Sequence, residues 1–373
     1  MNEIEKIREE ISKTDGEMLA LFEKRMSQSA LLAEYKKTHG LPILDRDAES
    51  AILSDNLSKL QNQKFAPYYV DFMENLMNLS NRYQNRLNEG MKVAYNGEEG
   101  AFAHIAAKTI FPGAVHKAYP SFSDAYASVE SGECDCAVIP VENSYAGEVG
   151  AVMDLMFDGS LKLTGAFTLP VVHNLLAKPG ASVEDIELVL SHSQALAQCE
   201  KYVNSRGWSV RAVSSTSYAA QLVAESAEKN VAAIASDEAA KTFGLEVLDH
   251  DINESGSNTT KFGVFSRADY ISKGSKDGRF IMMFTVNNVA GALAKAINII
   301  GENGFNMLAL RSRSVKQKAW QYYFYAELEG DETSENGVKM LGELSQQCET
   351  IKIIGHYAAG SDLSDRDIFK IKN

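Results

Sequence analysis

The sequence predicts a three-part protein: an all-α segment at residues 1–89, an α/β segment at 91–270 and an α+β segment at 279–358. Only two of the 26 glycines lie in the first segment. Because glycine is costly inside helices, this scarcity favours helical structure there and loop-rich structure afterwards. A polar, glycine-bearing stretch at 272–278 is typical of a linker. A chain of 373 residues is long enough for two or three domains.

Composition limits the classes of function. The chain has 37 Lys and Arg against 50 Asp and Glu, a net charge of −13, so it lacks the cationic excess of a nucleic-acid binder. No apolar run approaches the ~18–20 residues that cross a bilayer, and the charged N-terminus is unlike a signal peptide. The four cysteines fit reduced thiols and lack zinc-site spacing. We expect a cytoplasmic protein with no nucleic-acid or membrane partner, no metal and, without a G-x-G-x-x-G fingerprint, no dinucleotide or other cofactor.

The first segment predicts one long helix and two shorter ones. Apolar residues recur at three- and four-residue steps from Ile4 to Tyr35, and Pro42 stops the pattern. About 35 residues make a helix of ~50 Å, which two helices near 45–61 and 66–88 are too short to cover. The simplest arrangement is an intertwined dimer in which two chains share one core.

Polar side chains interrupt the apolar faces of these helices. An unpaired buried guanidinium is costly and needs an anion, and residues four apart share a helix face. A surface salt-bridge network is the ordinary explanation for any one of these residues, but together they favour a buried site for a small dianion. They are Arg25 and Lys36 on the first helix, Asp45 and Glu49 on the second, and Ser80 and Gln84 on the third.

With Arg8, these residues match the motif positions of the all-helical chorismate mutases, which this segment resembles. The resemblance implies that the two arginines and Lys36 bind the carboxylates and ether oxygen of chorismate, with Arg8 supplied by the partner chain. It implies that Glu49 binds the hydroxyl and that Lys36 and Gln84 are catalytic at the ether oxygen. Rearrangement to prephenate is unimolecular, so catalysis rests on holding the reactive conformer and stabilising charge on the breaking bond.

The middle segment alternates short apolar runs with helical stretches, which is typical of parallel α/β structure. Ligands bind such sheets where strands end and loops begin. Singly, the polar residues in these loops are typical of turns and N-caps, but together their hydroxyls and helix amides suit an anionic ligand. The candidates are Asn143, Ser144, Ser191, Gln194, Thr216 and Ser217.

Five motifs in order make this segment similar to the prephenate dehydratase catalytic domain across nearly all of 92–267: Glu142–Gly147, His173–Leu175, Ser191–Gln194, Ser215–Ser217 and Thr260–Phe262. The resemblance implies two lobes around a cleft, as in periplasmic binding proteins, with the last strand returning to the first lobe. It implies that Thr260 faces the hydroxyl that leaves prephenate, with Lys261 nearby. The six loop candidates, together with His173, Lys261 and Phe262, are implied as substrate contacts, and the product is phenylpyruvate.

The third segment reads β-α-β-β-α-β, the ferredoxin-like plan, with its third strand expected to begin at Trp320. A turn at 288–293 joins its first strand to a helix, where glycine lets a ligand approach the backbone and helix amides favour a carboxylate. The arrangement resembles an ACT domain, which binds amino acids at a dimer interface and senses phenylalanine in dehydratases. The family's E-S-R-P motif reads RSRS at 311–314. The implied effector residues are Ala290, Gly291, Ala292, Leu293, Asn306, Ser312 and Arg313.

The leading interpretation is a bifunctional mutase and dehydratase of phenylalanine biosynthesis. Its expected partners are chorismate, prephenate and the effector phenylalanine, in a homodimer or homotetramer. One alternative is a dehydratase whose first segment is only a dimerisation arm, because Ala48 stands where mutases usually carry an arginine. Another is a non-catalytic sensor of aromatic ligands. Thr260 and the buried cations favour an enzyme, since a sensor needs no group at a leaving hydroxyl.

Overall fold

The computed structural model describes residues 2–43, 45–267, 278–315, 321–358 and 361–362. The chain divides into two compact units, Met1–Lys92 and Val93–Asn373. Apart from Gly278, the predicted linker at 272–278 lies outside the described residues, as does Trp320, where the third segment's third strand was expected to begin. Among the described residues, no helix is both long and apolar enough to cross a membrane.

The first unit is helical, as predicted. Its helices are α1 (Glu3–Thr38), α2 (Arg46–Lys59) and α3 (Ala66–Glu89), with a 3-10 turn at Gln63–Phe65. α1 begins with a capping box, in which Asn2 accepts from the Ile4 amide and Glu5 accepts from the Asn2 amide. Only Ser29 and Ala33 of α1 are buried within this single chain, so most of its apolar stripe remains uncovered.

The second unit begins with an α/β lobe. Its elements are β1 (Lys92–Asn96), α4 (Phe102–Ile110), β2 (Val115–Tyr119), α5 (Phe122–Glu130), β3 (Cys136–Asn143), β4 (Gly147–Glu148), α6 (Gly150–Asp158) and β5 (Lys162–Pro170). β1 pairs in parallel with β3, and β3 turns back into β4 as a short hairpin. Tyr126, Ile139 and Met153 are fully buried in the core of this lobe.

The second lobe surrounds a five-stranded sheet in the order β10-β6-β9-β7-β8. Its elements are β6 (Asn174–Ala177), β7 (Leu188–His192), α7 (Ser193–Gln198), α8 (Glu200–Arg206), β8 (Ser209–Val213), α9 (Thr216–Glu225), β9 (Val231–Ala235), α10 (Asp237–Phe243) and β10 (Glu246–Asp249). The side chains of Ser215 and Ser236 cap α9 and α10 by accepting from backbone amides. Helix N-termini that face the first lobe are thereby fixed.

The chain then returns to the first lobe through β11 (Thr259–Ser266), as the resemblance implies. β11 lies antiparallel between β3 and β5. Its register places Thr260 opposite Asn143 and Lys261 opposite Glu142. Two of the predicted dehydratase motifs are therefore adjacent on paired strands, although they lie more than a hundred residues apart in the sequence.

The third segment has the predicted β-α-β-β-α-β order, and the three predicted fold classes are confirmed. Its elements are β12 (Gly278–Val286), α11 (Ala292–Glu302), β13 (Met307–Ser314), β14 (Tyr322–Glu329), α12 (Glu335–Leu344), β15 (Cys348–Ala358) and the short β16 (Ser361–Asp362). The sheet order is β13-β14-β12-β15, with every neighbouring pair antiparallel. Both helices pack on one face, around Phe280, Met282 and Ile300.

The sequence did not reveal that this sheet continues into the first lobe. β15 pairs with β5 through Gly355 and Leu163, giving eleven described strands in one sheet. A Cβ on Gly355 would come 2.0 Å from the Leu163 carbonyl oxygen, so the junction requires glycine. On the face opposite α11 and α12, Tyr323 stacks on Phe157 with ring centres 4.4 Å apart, which packs β14 against α6.

Candidate active sites

A cavity of about 230 Å³ lies among the helices of the first unit. It brings together six of the residues that the sequence predicted for a mutase site, because their helical spacing turns them towards one another. Ala48 and Asn81 also line it. The six are Arg25 and Lys36 from α1, Asp45 and Glu49 at the start of α2, and Ser80 and Gln84 from α3.

Arg25 is held by neutral groups rather than by a carboxylate. Its Nη1 donates to the Ser80 hydroxyl and, at 3.3 Å, to the Leu76 carbonyl. Ser80 in turn donates to the same carbonyl at 3.0 Å. Partial burial lowers the pKa of Arg25, and the charge of Glu49 opposes that shift. A cation that has lost water without gaining a directly bonded carboxylate is suited to binding an anionic ligand.

The other ionic residues of the cavity are also oriented by protein contacts. The Lys36 ammonium donates to the Ile43 carbonyl at 2.6 Å. Asp45 caps α2 by accepting from the Ala48 amide at 3.0 Å, so this carboxylate has a structural role as well. Glu49 accepts from the Asn81 amide at 2.6 Å. Asn81 was not predicted, although it lies three residues before Gln84 on the same face of α3.

Gln84 has the signature of a ligand contact. Its side chain is 3% exposed, and its only described side-chain bond is a 3.5 Å contact to Asn81 Oδ1. The oxygen of its amide has no partner among the described residues. An unsatisfied buried polar atom costs about 1–3 kcal/mol, and a polar ligand in the cavity would remove that cost.

Arg8 does not reach this cavity within one chain. It is exposed on α1, 17 positions before Arg25, which corresponds to ~25 Å along a helix. This exposed position is compatible with a contribution to the cavity of another copy of the chain, which stays a prediction.

In the second unit, Asn143 and Thr260 form the centre of the predicted dehydratase site. Asn143 Oδ1 accepts from the amides of Tyr145 and Ala146 at 3.0 and 2.9 Å. These two donors fix the orientation of the side chain, so its NH₂ group points towards Thr260 and donates to Thr260 Oγ1 at 2.9 Å. Since that oxygen acts as acceptor, the Thr260 hydroxyl hydrogen remains available, and it has no acceptor among the described residues.

A hydrogen-bonded chain extends from this pair into the second lobe. Asn143 also donates to Asn258 Oδ1 at 2.9 Å, and Asn258 donates to Gln198 Oε1 at 3.0 Å. Gln198 Oε1 lies 2.9 Å from His173 Nε2. Because this oxygen can only accept, His173 must carry its proton on Nε2. The sequence did not single out Gln198 or Asn258 as site residues, although Asn258 directly precedes the T-T-K-F run and Gln198 lies four residues after Gln194.

His173 is 2% exposed, with its ring edge-on to Phe102 at 5.7 Å between centres. Burial lowers its pKa, and the bond to Gln198 opposes this shift. The Nδ1 atom has no hydrogen-bond partner among the described residues. His173 is therefore neutral and fixed in orientation, with Nδ1 as a hydrogen-bond acceptor, rather than a group that donates a proton in the reaction.

The remaining predicted hydroxyls have different surroundings. Ser144 lies beside the central pair, where its hydroxyl accepts from the Thr259 amide at 2.9 Å and donates to the Ser257 carbonyl at 3.1 Å. Ser191 is fully buried and donates to the Ile234 carbonyl at 2.6 Å. Ser217 is also fully buried and donates to the Glu99 carbonyl. Ser191 and Ser217 therefore hold backbone segments in place, and only their lone pairs remain for a ligand.

Thr216 and Gln194 are half-buried at the first turns of α9 and α7. The loop after β1 lies against α9, where Ser215 donates to Glu98 Oε2 at 2.8 Å. Gly100 in this loop has a φ of +83°, and a Cβ there would come 2.8 Å from Ala239 Cα. Glycine therefore allows the first lobe to approach α9 and α10 closely.

Lys261 lies away from the Thr260 hydroxyl, contrary to the expectation that the two are neighbours in the cleft. Successive residues of a strand point to opposite faces, and the Lys261 ammonium lies 3.2 Å from Glu327 and 3.8 Å from Glu142. Phe262 is 1% exposed, so it contributes to packing beneath the site.

The predicted effector residues divide into two groups. The turn that contains Ala290 and Gly291 is exposed, Ala292 and Leu293 are half-buried, and Gly291 adopts a φ of +81° with open space around it. On β13, Ser312 is exposed, whereas Arg313 points to the other face, 3.3 Å from Asp154 of α6. Asn306 donates to Glu329 at 2.7 Å. Arg313 thus contacts the first lobe rather than the turn.

One group of possible metal ligands occurs among the described residues. Ligand atoms of Asp331, Glu332 and His356 lie within 4.8 Å of one another, and His356 Nε2 is 2.6 Å from Glu332. The group belongs to the third segment and to neither candidate active site. The expected absence of a metal stays a prediction.

Comparisons with known proteins cover both sites. A family model described as chorismate mutase type II matches residues 7–85, and one described as prephenate dehydratase matches 93–270. A bifunctional chorismate mutase/prephenate dehydratase of Aquifex aeolicus is 31% identical over 363 residues, 96% of this chain and 98% of the relative.

Two solved structures share the fold of most of the chain. A protein described as a novel type of quorum quenching acylase (GqqA) is 30% identical with a TM-score of 0.68, covering 72% of this chain and 98% of its own. The prephenate dehydratase of Arthrobacter aurescens in complex with L-Phe is 25% identical with a TM-score of 0.67, covering 72% and 90%.

Proposed function

This chain belongs to the family of bifunctional chorismate mutase/prephenate dehydratases, and from that membership we propose which of its residues carry each reaction. It converts chorismate to prephenate and prephenate to phenylpyruvate, two steps of phenylalanine biosynthesis. The observation that carries this function is full-length similarity to a bifunctional relative, with both family models matched in order. A dehydratase with only a dimerisation arm leaves the cavity that gathers Arg25, Lys36 and Gln84 without a use, and a non-catalytic sensor leaves the match to the mutase model unexplained.

In the mutase site, Arg25 and Lys36 bind the carboxylate and ether oxygens of chorismate. Glu49 accepts from the substrate hydroxyl, and the NH₂ group of the Gln84 side chain donates to the ether oxygen. Both cations and Gln84 stabilise the charge that develops as the ether bond breaks, and the cavity holds the reactive conformer. The rearrangement transfers no proton to the enzyme, so these residues act by position and electrostatics.

Charge balance supports a further cation from a second copy. The two cations of the cavity are offset by Asp45 and Glu49, so a bound dianion would leave the site negative. Arg8 of another chain would offset part of that negative charge. The apolar stripe of α1 supports the same arrangement, since Ile4, Ile7 and Ile11 are each at least half exposed in the single chain. We infer an intertwined homodimer, alone or within a tetramer.

A pair of adjacent lysines tests the mutase assignment. Lys36→Met removes the ammonium from the cavity and is expected to lower chorismate consumption by about a hundredfold or more, the order set by one missing transition-state donor. The neighbouring Lys37 is exposed and reaches the Asn88 carbonyl at 3.4 Å, so Lys37→Met is the matched control. Equal mutase rates in the two variants would remove Lys36 from the mechanism.

In the dehydratase site, the Thr260 hydroxyl donates to the oxygen that leaves prephenate. A threonine hydroxyl does not titrate near neutrality, so it stabilises the departing oxygen by hydrogen bonding rather than by complete proton transfer. Asn143 makes this possible because it occupies the acceptor side of Thr260 Oγ1. Ser144, His173, Ser191, Gln194, Thr216 and Ser217 stay predicted contacts of the substrate's carboxylate and carbonyl groups.

The third segment is proposed as an ACT domain that senses phenylalanine at the 290–293 turn. Asn306 and Ser312 stay predicted contacts of the effector. Binding of L-Phe by the similar dehydratase of Arthrobacter aurescens supports this proposal. Added phenylalanine is expected to lower the dehydratase rate of the full chain. An unchanged rate up to millimolar phenylalanine would leave the segment a structural module. A cytoplasmic location stays a prediction from the cysteine usage of the sequence.

A further inference from the structure

A cluster of charged side chains lies behind the catalytic strands, on the face opposite Asn143 and Thr260. It joins the dehydratase lobe to the sheet of the third segment. Within the described residues, three carboxylates alternate with three cations, so the cluster is electrically balanced. Its members are Glu142 on β3, Glu148 on β4, Lys261 on β11, Arg279 on β12, Arg311 on β13 and Glu327 on β14.

The register of the strands places this cluster directly behind the catalytic pair. Thr260 is opposite Asn143, and Lys261 is opposite Glu142. Because neighbouring residues in a strand point to opposite faces, Glu142 and Lys261 meet on the reverse side of the sheet. A shift of β3 or β11 therefore changes the Asn143–Thr260 pair and the Glu142–Lys261 pair together.

Arg311 bridges the two arms of the hairpin that carries Asn143. Its Nη2 donates to Glu142 Oε1, and its Nε lies 3.5 Å from Glu148 Oε2. Glu142 and Glu148 are paired residues of β3 and β4. Between them is the turn whose Tyr145 and Ala146 amides orient the Asn143 side chain. The Arg311 guanidinium also stacks over Tyr325, 5.7 Å from the ring centre, which fixes its direction.

Glu327 anchors the other catalytic strand in the same way. It is 3% exposed, contacts Lys261 at 3.2 Å and Arg279 at 3.7 Å, and accepts from the Tyr357 hydroxyl. Burial alone would raise the pKa of Glu327, but the Tyr357 bond and the two cations outweigh burial and lower it. The third segment thus holds both strands of the catalytic pair from behind.

We propose that Arg311 is a positioning residue for the dehydratase reaction: by bridging Glu142 and Glu148 it holds the hairpin in the geometry that lets Asn143 orient the Thr260 hydroxyl. A guanidinium can bridge two carboxylates because its donors form a planar fork. Removing it takes away the cation between two half-buried carboxylates and leaves Glu142 only Lys261, at 3.8 Å, so repulsion between Glu142 and Glu148 separates the arms of the hairpin. The motif comparison suggested only that position 311 departs from an effector pattern, whereas the contacts give it a role at the catalytic face.

The test is steady-state kinetics of the full chain with prephenate. Arg311→Gln is expected to lower kcat about ten- to a hundredfold, because a misplacement near 1 Å has effects of this order, while KM changes by less than about threefold. Arg311→Lys keeps the charge without the fork and is expected to give an intermediate kcat. The mutase rate of each preparation, which depends on residues of the first unit, is expected to stay at the wild-type value.

Lys162→Gln is the matched control. Lys162 on β5 donates to the Ile353 carbonyl of β15 at 2.8 Å, so its loss also removes a contact between lobe and third segment, but away from the hairpin. We expect this variant to keep the wild-type kcat even where its Tm falls as much as that of Arg311→Gln. An unchanged kcat in Arg311→Gln, or equal kcat losses in Arg311→Gln and Lys162→Gln, would overturn the proposal.

Discussion

Replacing Thr260 by valine removes one hydroxyl and keeps the branched shape of the side chain. In the folded enzyme, Asn143 loses one of three acceptors, because Asn258 Oδ1 at 2.9 Å and the Thr259 carbonyl at 3.1 Å remain. The net cost to stability is therefore about 1 kcal/mol or less, the usual contribution of one hydrogen bond. In the transition state, the enzyme loses the donor to the departing oxygen. That loss is worth about 10²–10³ in kcat, or about 2.7–4 kcal/mol.

The assay is formation of phenylpyruvate from prephenate, followed by its absorbance in alkali. Thr260→Val and Thr260→Ala are expected to lose a hundredfold or more of turnover, by the order just given, and Thr260→Ser is expected to keep most of it. Thr259→Val is the control, since Thr259 is the adjacent residue and points to the opposite face. Wild-type turnover in Thr260→Val would refute the reasoning, because the hydroxyl would then have no role at the leaving oxygen.

Three further predictions concern the surroundings of this site. Gln198→Met removes the acceptor that links Asn258 to His173; kcat for prephenate is expected to fall about tenfold, and an unchanged kcat would separate that chain of bonds from catalysis. Burial lowers the pKa of both His104 and His173, so the unfolded chain binds more protons below its histidine pKa of about 6.5. The Tm is therefore expected to fall as pH drops from about 7 to about 5, and His173→Asn should reduce that fall; an identical fall in the variant would contradict the shift. Gly100→Ala forces a Cβ to within 2.8 Å of Ala239 Cα at a φ of +83°, so a loss of about 1–3 kcal/mol is expected in denaturant unfolding, and wild-type stability would show that the two lobes do not pack as described.

Most of the helices and strands could be predicted from local patterns in the sequence. The three helices of the first unit follow from apolar spacing and its interruption at Pro42, and the same spacing turned Arg25, Ser80 and Gln84 towards one cavity. The β-α-β-β-α-β order of the third segment could also be predicted locally, because each helix and strand shows its own repeat of apolar residues.

Contacts between distant segments could not be predicted in this way. Gln198 on α7 contacts Asn258 and His173, which lie in the two segments that connect the lobes. A repeating pattern within one segment does not predict contacts between segments that are far apart in the sequence. The joining of β15 to β5 is likewise a long-range pairing. The position of Lys261 differs from the expectation for another reason. The resemblance implied that Lys261 lies near the Thr260 hydroxyl, whereas strand alternation points the two side chains to opposite faces of the sheet. Arg311 became interpretable only when Glu142 and Glu148 were seen on either side of it.

The central claim is that two separate sites on one chain carry out consecutive reactions. It is tested most directly by giving chorismate to the full-length Thr260→Val enzyme and following chorismate, prephenate and phenylpyruvate together. The account predicts that chorismate disappears at the wild-type rate while prephenate accumulates and phenylpyruvate hardly forms. Loss of chorismate consumption in that variant, or phenylpyruvate formation at the wild-type rate, would contradict it.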